Sequence, residues 1–177
     1  MLGLKSGMVE LLEHCESWKI NAQNEIVCLK GILGEHAIDI QHVGSTSICG
    51  IHAKPIIDIA VGVSDFGNAE MFIQLLSKHG YVYAEEDTPG KMLFLKCEGE
   101  KKTHHIHFVK HGGREWNDYV NFRDYLNAQP EKAMQYDALK VRLCQQFSQE
   151  RARYTAGKHA LISQLLDEAC LWRIKCS

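Results

Sequence analysis

A short loop of small residues and the strand after it carry the side chains best suited to chemistry. The loop is residues 41–47, QHVGSTS, and the strand lies within residues 54–61, KPIIDIAV. The Gly44-Ser45 turn offers backbone N–H groups and a hydroxyl, which suit a phosphate. Asp58 is a lone carboxylate among apolar residues, where an unpaired buried charge is costly. The pattern predicts a functional site; the alternative is a buried ion pair of Asp58 with Lys54 or a nearby arginine.

A second cluster of candidate residues is a group of histidines. Four histidines lie between positions 104 and 111. Strand alternation places His105 and His107 on one face, and Ile106 and Phe108 on the other. Two histidines at i and i+2 can converge on one metal ion or one phosphate. The alternative is a solvated polar face near the end of a hairpin.

The strand that carries Asp58 has one apolar face and one face of mixed character. Asp58 shares its face with Ala60 and Gly62, and these small residues predict open space above the sheet. The apolar face is formed by Ile57, Ile59, Val61 and Val63.

Periodicity along the chain predicts a mixed sheet followed by helices. Ser17 is the expected N-cap of the first helix and Gly34 its stop, while residues 9–12 fit either a strand or a helix start. The predicted helices span residues 17–33, 68–79, 116–128, a stretch from residue 130 and about 156–172; the predicted strands span residues 37–43, 56–63, 81–84, 91–97 and 103–109. This order predicts an α+β fold. The sheet part covers about residues 9–111 and the helical part about 115–173 of a single domain, 1–177.

Composition limits the class of protein. The chain has 177 residues, 45% of them hydrophobic, and a formal net charge of −2. This balance supports a full core and gives no overall attraction to nucleic acid or to acidic membranes, so nucleic acid is the least favoured partner. No apolar run is long enough to span a membrane. The seven cysteines contain no CxxC pair, which favours reduced thiols in a cytoplasmic protein. The oligomeric state stays open.

The Gly-Ser turn followed by an acidic strand resembles the signature of the nucleotidyltransferase superfamily, a Gly-Ser and an Asp-x-Asp strand. The resemblance implies that the turn holds nucleotide phosphates and that carboxylates bind two divalent ions. Here the second acidic position falls on Ile56 or Ala60, and histidines stand where a third carboxylate is usual. Glu86 is a candidate replacement. A lone carboxylate holds magnesium poorly, whereas a carboxylate with histidines suits zinc, manganese or iron.

Several separate motifs resemble the GrpB family in the family's order, over about residues 9–169. They are residues 42–47 (HVGSTS), 54–59 (KPIIDI), 105–108 (HIHF), 121–126 (NFRDYL), 136–140 (YDALK) and 154–158 (YTAGK). One departure is Cys49, where family members commonly have a proline. The resemblance implies a nucleotidyltransferase-like fold with a helical C-terminal part. Fusion of some members to dephospho-CoA kinase hints at a nucleotide- or coenzyme-related role.

These observations predict transfer of a nucleotidyl or phosphoryl group with a divalent metal: magnesium or manganese, with zinc as a further candidate. The expected partner is a nucleotide or another phosphorylated small molecule. The alternatives are a non-catalytic nucleotide- or coenzyme-binding module that has lost the second metal carboxylate, and a metal-dependent phosphoester hydrolase. The predicted catalytic residues are Asp58, His107 and Lys54; the metal ligands are Asp58, His105 and His107; the phosphate-binding residues are His42, Gly44, Ser45, Thr46, Ser47, Arg123, Lys140 and Lys158.

The basic residues among these also fit a structural interpretation. Lys54 can be a solvated loop lysine, and Arg123 and Lys140 can extend along the margin of an apolar seam. Tyr154 is expected to serve packing rather than catalysis.

Overall fold

A computed structural model of the chain describes residues 2–84 and 90–176. The strands are β1 Leu4–Lys5, β2 Asp39–Val43, β3 Ile57–Val63, β4 Tyr81–Ala84, β5 Lys91–Glu98 and β6 Lys101–Lys110. The helices are α1 Glu16–Leu33, α2 Ala69–Ser77, α3 Arg114–Ala128, α4 Pro130–Gln146, α5 Arg151–Gly157 and α6 His159–Cys176. Short 3₁₀ turns cover Gly34–His36 and Ser45–Ser47.

The strands form one mixed sheet in the order β2-β3-β6-β5-β4, with β1 paired to the start of β6. Strands β3 and β6 run parallel, and the other pairs are antiparallel. The register of the parallel pair sets Asp58 beside His105 and Ala60 beside His107. The predicted α+β class, a mixed sheet followed by helices, is confirmed.

One face of the sheet forms the larger apolar core. Ile57 and Ile59 of β3 and Ile106 and Phe108 of β6 are fully buried there, in one cluster with residues of α1 and α2. Alternation along each strand places every second side chain on this face. The predicted apolar faces of both strands are therefore present.

The opposite face is covered at one end by α3. Ala60 packs there against Trp116 of α3. A Cβ atom added to Gly62 would lie 2.9 Å from the His111 ring and 3.0 Å from Trp116. The prediction of open space above Ala60 and Gly62 is therefore wrong, because an aromatic side chain from a distant helix fills it. Only the end of the strand that carries Asp58 stays open.

The C-terminal helices differ from the prediction in one place. The predicted helix over residues 156–172 is two helices, α5 and α6, which meet at Lys158. Helix α5 buries only Tyr154, so it has no apolar periodicity to reveal it. Gly157 allows close packing at this junction, since a Cβ there would lie 2.7 Å from Leu143 of α4.

The N-terminal part corrects two further predictions. Helix α1 begins at Glu16 with Cys15 as its N-cap, so Ser17 lies inside the helix and does not cap it. Residues 9–12 form neither a helix nor a regular strand; Leu12 makes a single bridge to Ala53. Gly34 ends α1 as predicted, with φ +53° and its N–H donated to the Lys30 carbonyl.

All seven cysteines lie in the described part of the chain, and each is a free thiol. Within residues 2–84 and 90–176, no helix combines the length and apolar character of a bilayer-spanning segment. The acidic stretch of residues 85–89, with the candidate carboxylate Glu86, lies outside the described residues.

Candidate functional site

Asp58 and the two histidines of β6 converge on one point above the sheet. Parallel pairing of β3 and β6 puts their side chains on one face. His105 Nδ1 lies 3.1 Å and His107 Nε2 3.2 Å from the same Asp58 oxygen, Oδ1. The side chains of His105 and His107 are only 14% and 20% exposed. This face is therefore not a solvated polar strand face, and Asp58 pairs with histidines rather than with Lys54 or an arginine.

The electrostatic environment keeps Asp58 ionised. Burial acts to raise the pKa of Asp58, but the hydrogen bonds from His105 and His107 outweigh it and hold that pKa well below its usual range. At neutral pH the carboxylate is therefore negatively charged and available as a ligand.

The loop that follows β2 lies directly against this carboxylate. Gly44 has φ +71°, and a Cβ atom there would lie 2.5 Å from Asp58 Oδ2. Only glycine fits both the backbone conformation and the space. The Ser47 hydroxyl donates to the Gly44 carbonyl at 2.6 Å, and the Ser45 hydroxyl lies 3.4 Å from the Tyr136 hydroxyl. The loop is thus held between the acidic strand and helix α4.

Basic side chains from three different elements face the loop. Lys54 precedes β3, Lys140 belongs to α4, and Lys158 follows α5. Lys54 and Lys158 both lie over the Tyr154 ring, with Nζ atoms 5.6 and 4.6 Å from its centroid. Lys140 is fully buried; its ammonium donates to the His52 carbonyl, and lies 3.5 Å from Asp137. Neither Lys54 nor Lys158 forms an ion pair with a described carboxylate.

Burial and mutual repulsion lower the lysine pKa values. Burial, together with the nearby charges of Lys54 and Lys140, lowers the pKa of Lys158 to about 8. Burial lowers the pKa of Lys140 to about 8 although Asp137 opposes it. Burial and Arg151 lower the pKa of Lys54. An anion bound among these groups would relieve the repulsion, which makes the cluster a candidate phosphate site.

These groups line a single cavity of about 440 Å³, here called the Asp58 cavity. It contains nine of the predicted site residues: Gly44, Ser45, Thr46, Lys54, Asp58, His105, His107, Lys140 and Lys158. Its remaining walls are Ile56, Tyr119, Tyr136, Arg151, Tyr154 and Thr155.

Comparison with known proteins places the chain in a family. The family profile described as "GrpB protein" matches residues 8–168. The chain belongs to the GrpB family. It is 40% identical over 173 residues to the glutamate-rich protein GrpB of Alkalihalophilus pseudofirmus, covering 95% of this chain and 99% of that protein. It is 25% identical to a dephospho-CoA kinase of Mycolicibacterium paratuberculosis, matching 93% of this chain but 46% of the kinase.

Solved structures agree with this membership. The crystal structure of the conserved protein GrpB from Enterococcus faecalis is 31% identical, with a TM-score of 0.84 over 90% of this chain and 96% of that one. The Cid1 poly(U) polymerase is 12% identical, with a TM-score of 0.51 over 74% of this chain and 43% of that one. The second likeness concerns the fold alone. The nucleotidyltransferase-like fold implied by the sequence resemblance is confirmed.

Three predicted site residues of this GrpB-family chain lie outside the Asp58 cavity. His42 pairs with Ile59 across the β2–β3 ladder, so its side chain lies on the opposite face of the sheet from Asp58. Arg123 donates to Gln41 and to the His42 carbonyl, and it also pairs with the neighbouring Asp124. His42, Ser47 and Arg123 line a separate cavity of about 500 Å³, here called the His42 cavity. Thr46 lines both cavities.

His42 has a local structural partner. Its Nε2 lies 2.9 Å from the Thr46 hydroxyl. Burial lowers the pKa of His42 to about 4, with Arg123 acting in the same direction and Asp58 opposing. His42 is therefore neutral at pH 7 and positions Thr46 rather than offering a positive charge.

Six cavity residues were not among the sequence candidates for the site: the apolar Ile56, the packing residue Tyr154, and Tyr119, Tyr136, Arg151 and Thr155. Arg151, Tyr154, Thr155 and Lys158 follow the spacing i, i+3, i+4 and i+7, which marks one face of a helix. That spacing is a usable signal once a helix is assumed there. Tyr154 is 1% exposed, as expected for packing, but its ring also supports Lys54 and Lys158.

The three residues fit a divalent metal. One ligand atom from each of Asp58, His105 and His107 lies within 4.8 Å of the others. The two nitrogen–oxygen distances of 3.1 and 3.2 Å are slightly shorter than the roughly 3.4 Å between neighbouring ligands at bond lengths of about 2.1 Å in a tetrahedral zinc site. Tyr119 lies 3.3 Å from His107 Nδ1, the outer contact typical of a metal-binding histidine. Asp58 is the one described carboxylate in the cavity lining.

Proposed function

We propose that this protein transfers a phosphoryl or nucleotidyl group from a phosphorylated small molecule, and that it does so in the Asp58 cavity with one divalent cation. The observation that carries the proposal is that an Asp-His-His cluster and two lysines without a described carboxylate partner, Lys54 and Lys158, converge on one cavity. A metal site beside a cationic cradle suits a phosphate ester or anhydride. An ordinary apolar core would contain neither a metal site nor a cluster of lysines.

Each group has a distinct task in this proposal. Asp58, His105 and His107 hold the cation, which when bound polarises a phosphoryl oxygen. Lys54, the buried Lys140 and Lys158 neutralise the negative charge of the phosphates as point charges. The Gly44–Ser45 backbone and hydroxyl lie between these two sets and orient the phosphate.

The reaction is a displacement at phosphorus. The oxygen of an acceptor hydroxyl forms a bond to phosphorus while the bond to the leaving phosphate oxygen breaks. The hydroxyl proton passes to solvent water at the cavity mouth, and the leaving group carries away the electron pair as an anionic phosphate. With water as the acceptor, the same displacement is hydrolysis of the phosphoanhydride.

The ligand types favour manganese or zinc over magnesium. Magnesium prefers several hard oxygen ligands in an octahedral arrangement, and Asp58 is a single carboxylate accompanied by two imidazoles. Imidazole nitrogen is a good ligand for zinc and for later transition metals. We therefore expect Mn²⁺ or Zn²⁺ to support binding better than Mg²⁺.

Thermal unfolding with ATP tests the proposal. ATP with Mn²⁺ should raise the melting temperature more than either alone, because a ligand that binds only the native state stabilises it. Release of phosphate or pyrophosphate in the presence of candidate hydroxyl acceptors then measures turnover. Unchanged melting with ATP, GTP, CTP and UTP at millimolar Mn²⁺ or Zn²⁺ would contradict the proposal.

A binding module is the second candidate, and one observation favours it. The described residues place a single carboxylate at the cavity, whereas the two-ion mechanism of the superfamily uses several. Such a module would bind the phosphorylated ligand with the same residues and release it unchanged. Stabilisation by ATP and Mn²⁺ without product in the presence of any tested acceptor would favour this candidate.

A further inference from the structure

A second compartment adjoins the Asp58 cavity. It has a volume of about 300 Å³, at the lower limit for small-molecule pockets and enough for one ring system. Gly44, Ser45, Tyr119 and Tyr136 line both compartments, so the two meet at these residues. The new compartment is here called the Phe122 cavity.

The Phe122 cavity has a different chemistry from its neighbour. Its walls include the apolar side chains of Phe122, Ile162 and Leu166, the carboxylates of Glu115 and Asp118, and one basic residue, Lys91. Carboxylates therefore outnumber cations two to one in this lining. Among the residues that the structure describes, Glu115 lies 3.8 Å from Lys91 and Asp118 lies 3.8 Å from Arg114, so each carboxylate has a cation near the outer limit of an ion pair. Acidic groups at an apolar pocket disfavour a second phosphate and favour a hydrogen-bond donor.

Aromatic rings mark the boundary between the compartments. Phe122 and Tyr136 meet edge to face, with centroids 5.5 Å apart and an interplanar angle of 88°. Tyr119 packs against His107, with centroids 5.1 Å apart and ring planes tilted by 36°, so a ring in the Phe122 cavity would lie next to the Asp-His-His cluster. A further flat ring can add to this arrangement by edge or face contacts.

We propose that the Phe122 cavity binds the organic part of the ligand: a flat, weakly polar ring system that carries an N–H donor. Its phosphates extend past Gly44 and Ser45 into the Asp58 cavity. This inference rests on the proposed function, because it takes the phosphates as bound among Lys54, Lys140 and Lys158. It narrows the substrate class from any phosphorylated compound to aromatic ones, and it excludes free polyphosphate as the cognate ligand.

Comparing the affinities of tripolyphosphate and ATP distinguishes the contributions of the two compartments to binding. Both probes carry three linked phosphates, and only ATP has a ring. In calorimetry with Mn²⁺, ATP should bind the wild-type protein at least about tenfold more tightly than tripolyphosphate. Phe122→Ala and Leu166→Ala should remove most of that preference while tripolyphosphate affinity stays within about twofold. Tripolyphosphate binding also verifies that each variant is folded.

The outcomes distinguish this inference from the proposed function. Equal affinity for ATP and tripolyphosphate would overturn the role of the Phe122 cavity and leave the phosphate site standing. A preference for ATP that both variants retain would also overturn it, because the ring would then bind elsewhere. If neither ATP nor tripolyphosphate binds, the proposed function is overturned, and this inference with it.

Discussion

The Asp58 cavity and the His42 cavity lie on either side of the same loop, and each contains a histidine, a carboxylate and basic residues. In the His42 cavity the partly buried cation is paired internally, since Arg123 contacts Gln41, the His42 carbonyl and Asp124. The lysines that line it, Lys19 and Lys30, are exposed to solvent. In the Asp58 cavity, Lys54 and Lys158 have no described carboxylate within ion-pair distance. Residue types alone would make the two cavities equally good candidates for a binding site. Partly buried charges without a described ion-pair partner distinguish a candidate binding site from a structural network or from solvated lysines.

The largest expected difference between the cavities concerns metal binding. Asp58→Asn should weaken Mn²⁺ binding by at least about 100-fold, since it replaces a charged ligand rather than one of the outer partners that typically contribute 10- to 100-fold. Asp39→Asn is the matched control, because Asp39 lines the His42 cavity and bonds the Ile40 N–H and Gln41. Equilibrium dialysis measures the Mn²⁺ affinity of both variants. Equal loss in the two variants would mean that the Asp58 cluster is not the metal site.

The second prediction concerns the loop that separates the cavities. Gly44→Ala should lower the free energy of unfolding by about 3 kcal/mol, from an unfavourable positive φ and a Cβ atom pressed against Asp58. Gly112 has a similar φ of +69° with open space around its Cβ position. Gly112→Ala should therefore cost about 1 kcal/mol. Urea unfolding compares the stabilities of the two variants. An equal loss in the free energy of unfolding would show that the contact with Asp58 adds no further destabilisation in Gly44→Ala.

The third prediction tests which cavity attracts anions. Lys158→Met should weaken tripolyphosphate binding about tenfold, because it removes a partly desolvated charge. Lys19→Met is the control, since Lys19 is exposed at the His42 cavity, and its effect should stay within about twofold. Calorimetry at low salt measures the affinities. A reversed order would move the anion site to the other side of the loop.

The smallest expected effect is a dependence on pH. Lys140 and Lys158 have pKa values of about 8 in the folded protein, below the ordinary 10.5. They lose protons as the pH rises through 8, so tripolyphosphate affinity should fall several-fold between pH 7 and pH 9. The free protein should respond in the opposite direction. Between pH 8 and 10.5 its unfolded state binds more protons, and these two lysines then raise stability with increasing pH.

Measuring tripolyphosphate affinity against pH for the wild type and for Lys158→Met checks the predicted fall in affinity. The variant should show a shallower decline in affinity over the same interval. An identical decline would assign the pH dependence to other groups.

Local patterns along the chain predicted most of the fold. Alternation in β3 and β6 is a property of the extended backbone, so it correctly separated Ile57 and Ile106 from Asp58 and His107. The Gly-Ser turn, the acidic strand and the motifs shared with the GrpB family indicated the nucleotidyltransferase-like architecture. Gly34 as a helix stop was also predictable, because a positive φ is a local requirement.

Contacts between distant segments decided the rest. His42 belongs to the opposite face because its ladder partner is Ile59, and a register of that kind depends on which strands pair. Gly62 has no open space above it because Trp116 occupies that space from another helix. Arg151 and Thr155 reach the cavity on a short helix that buries one side chain and so has no apolar periodicity. Residue types and spacing thus determined the chemistry that is available. Only the packing of the helices on the sheet decided which of those groups share a cavity, because that packing depends on side chains far apart in the chain.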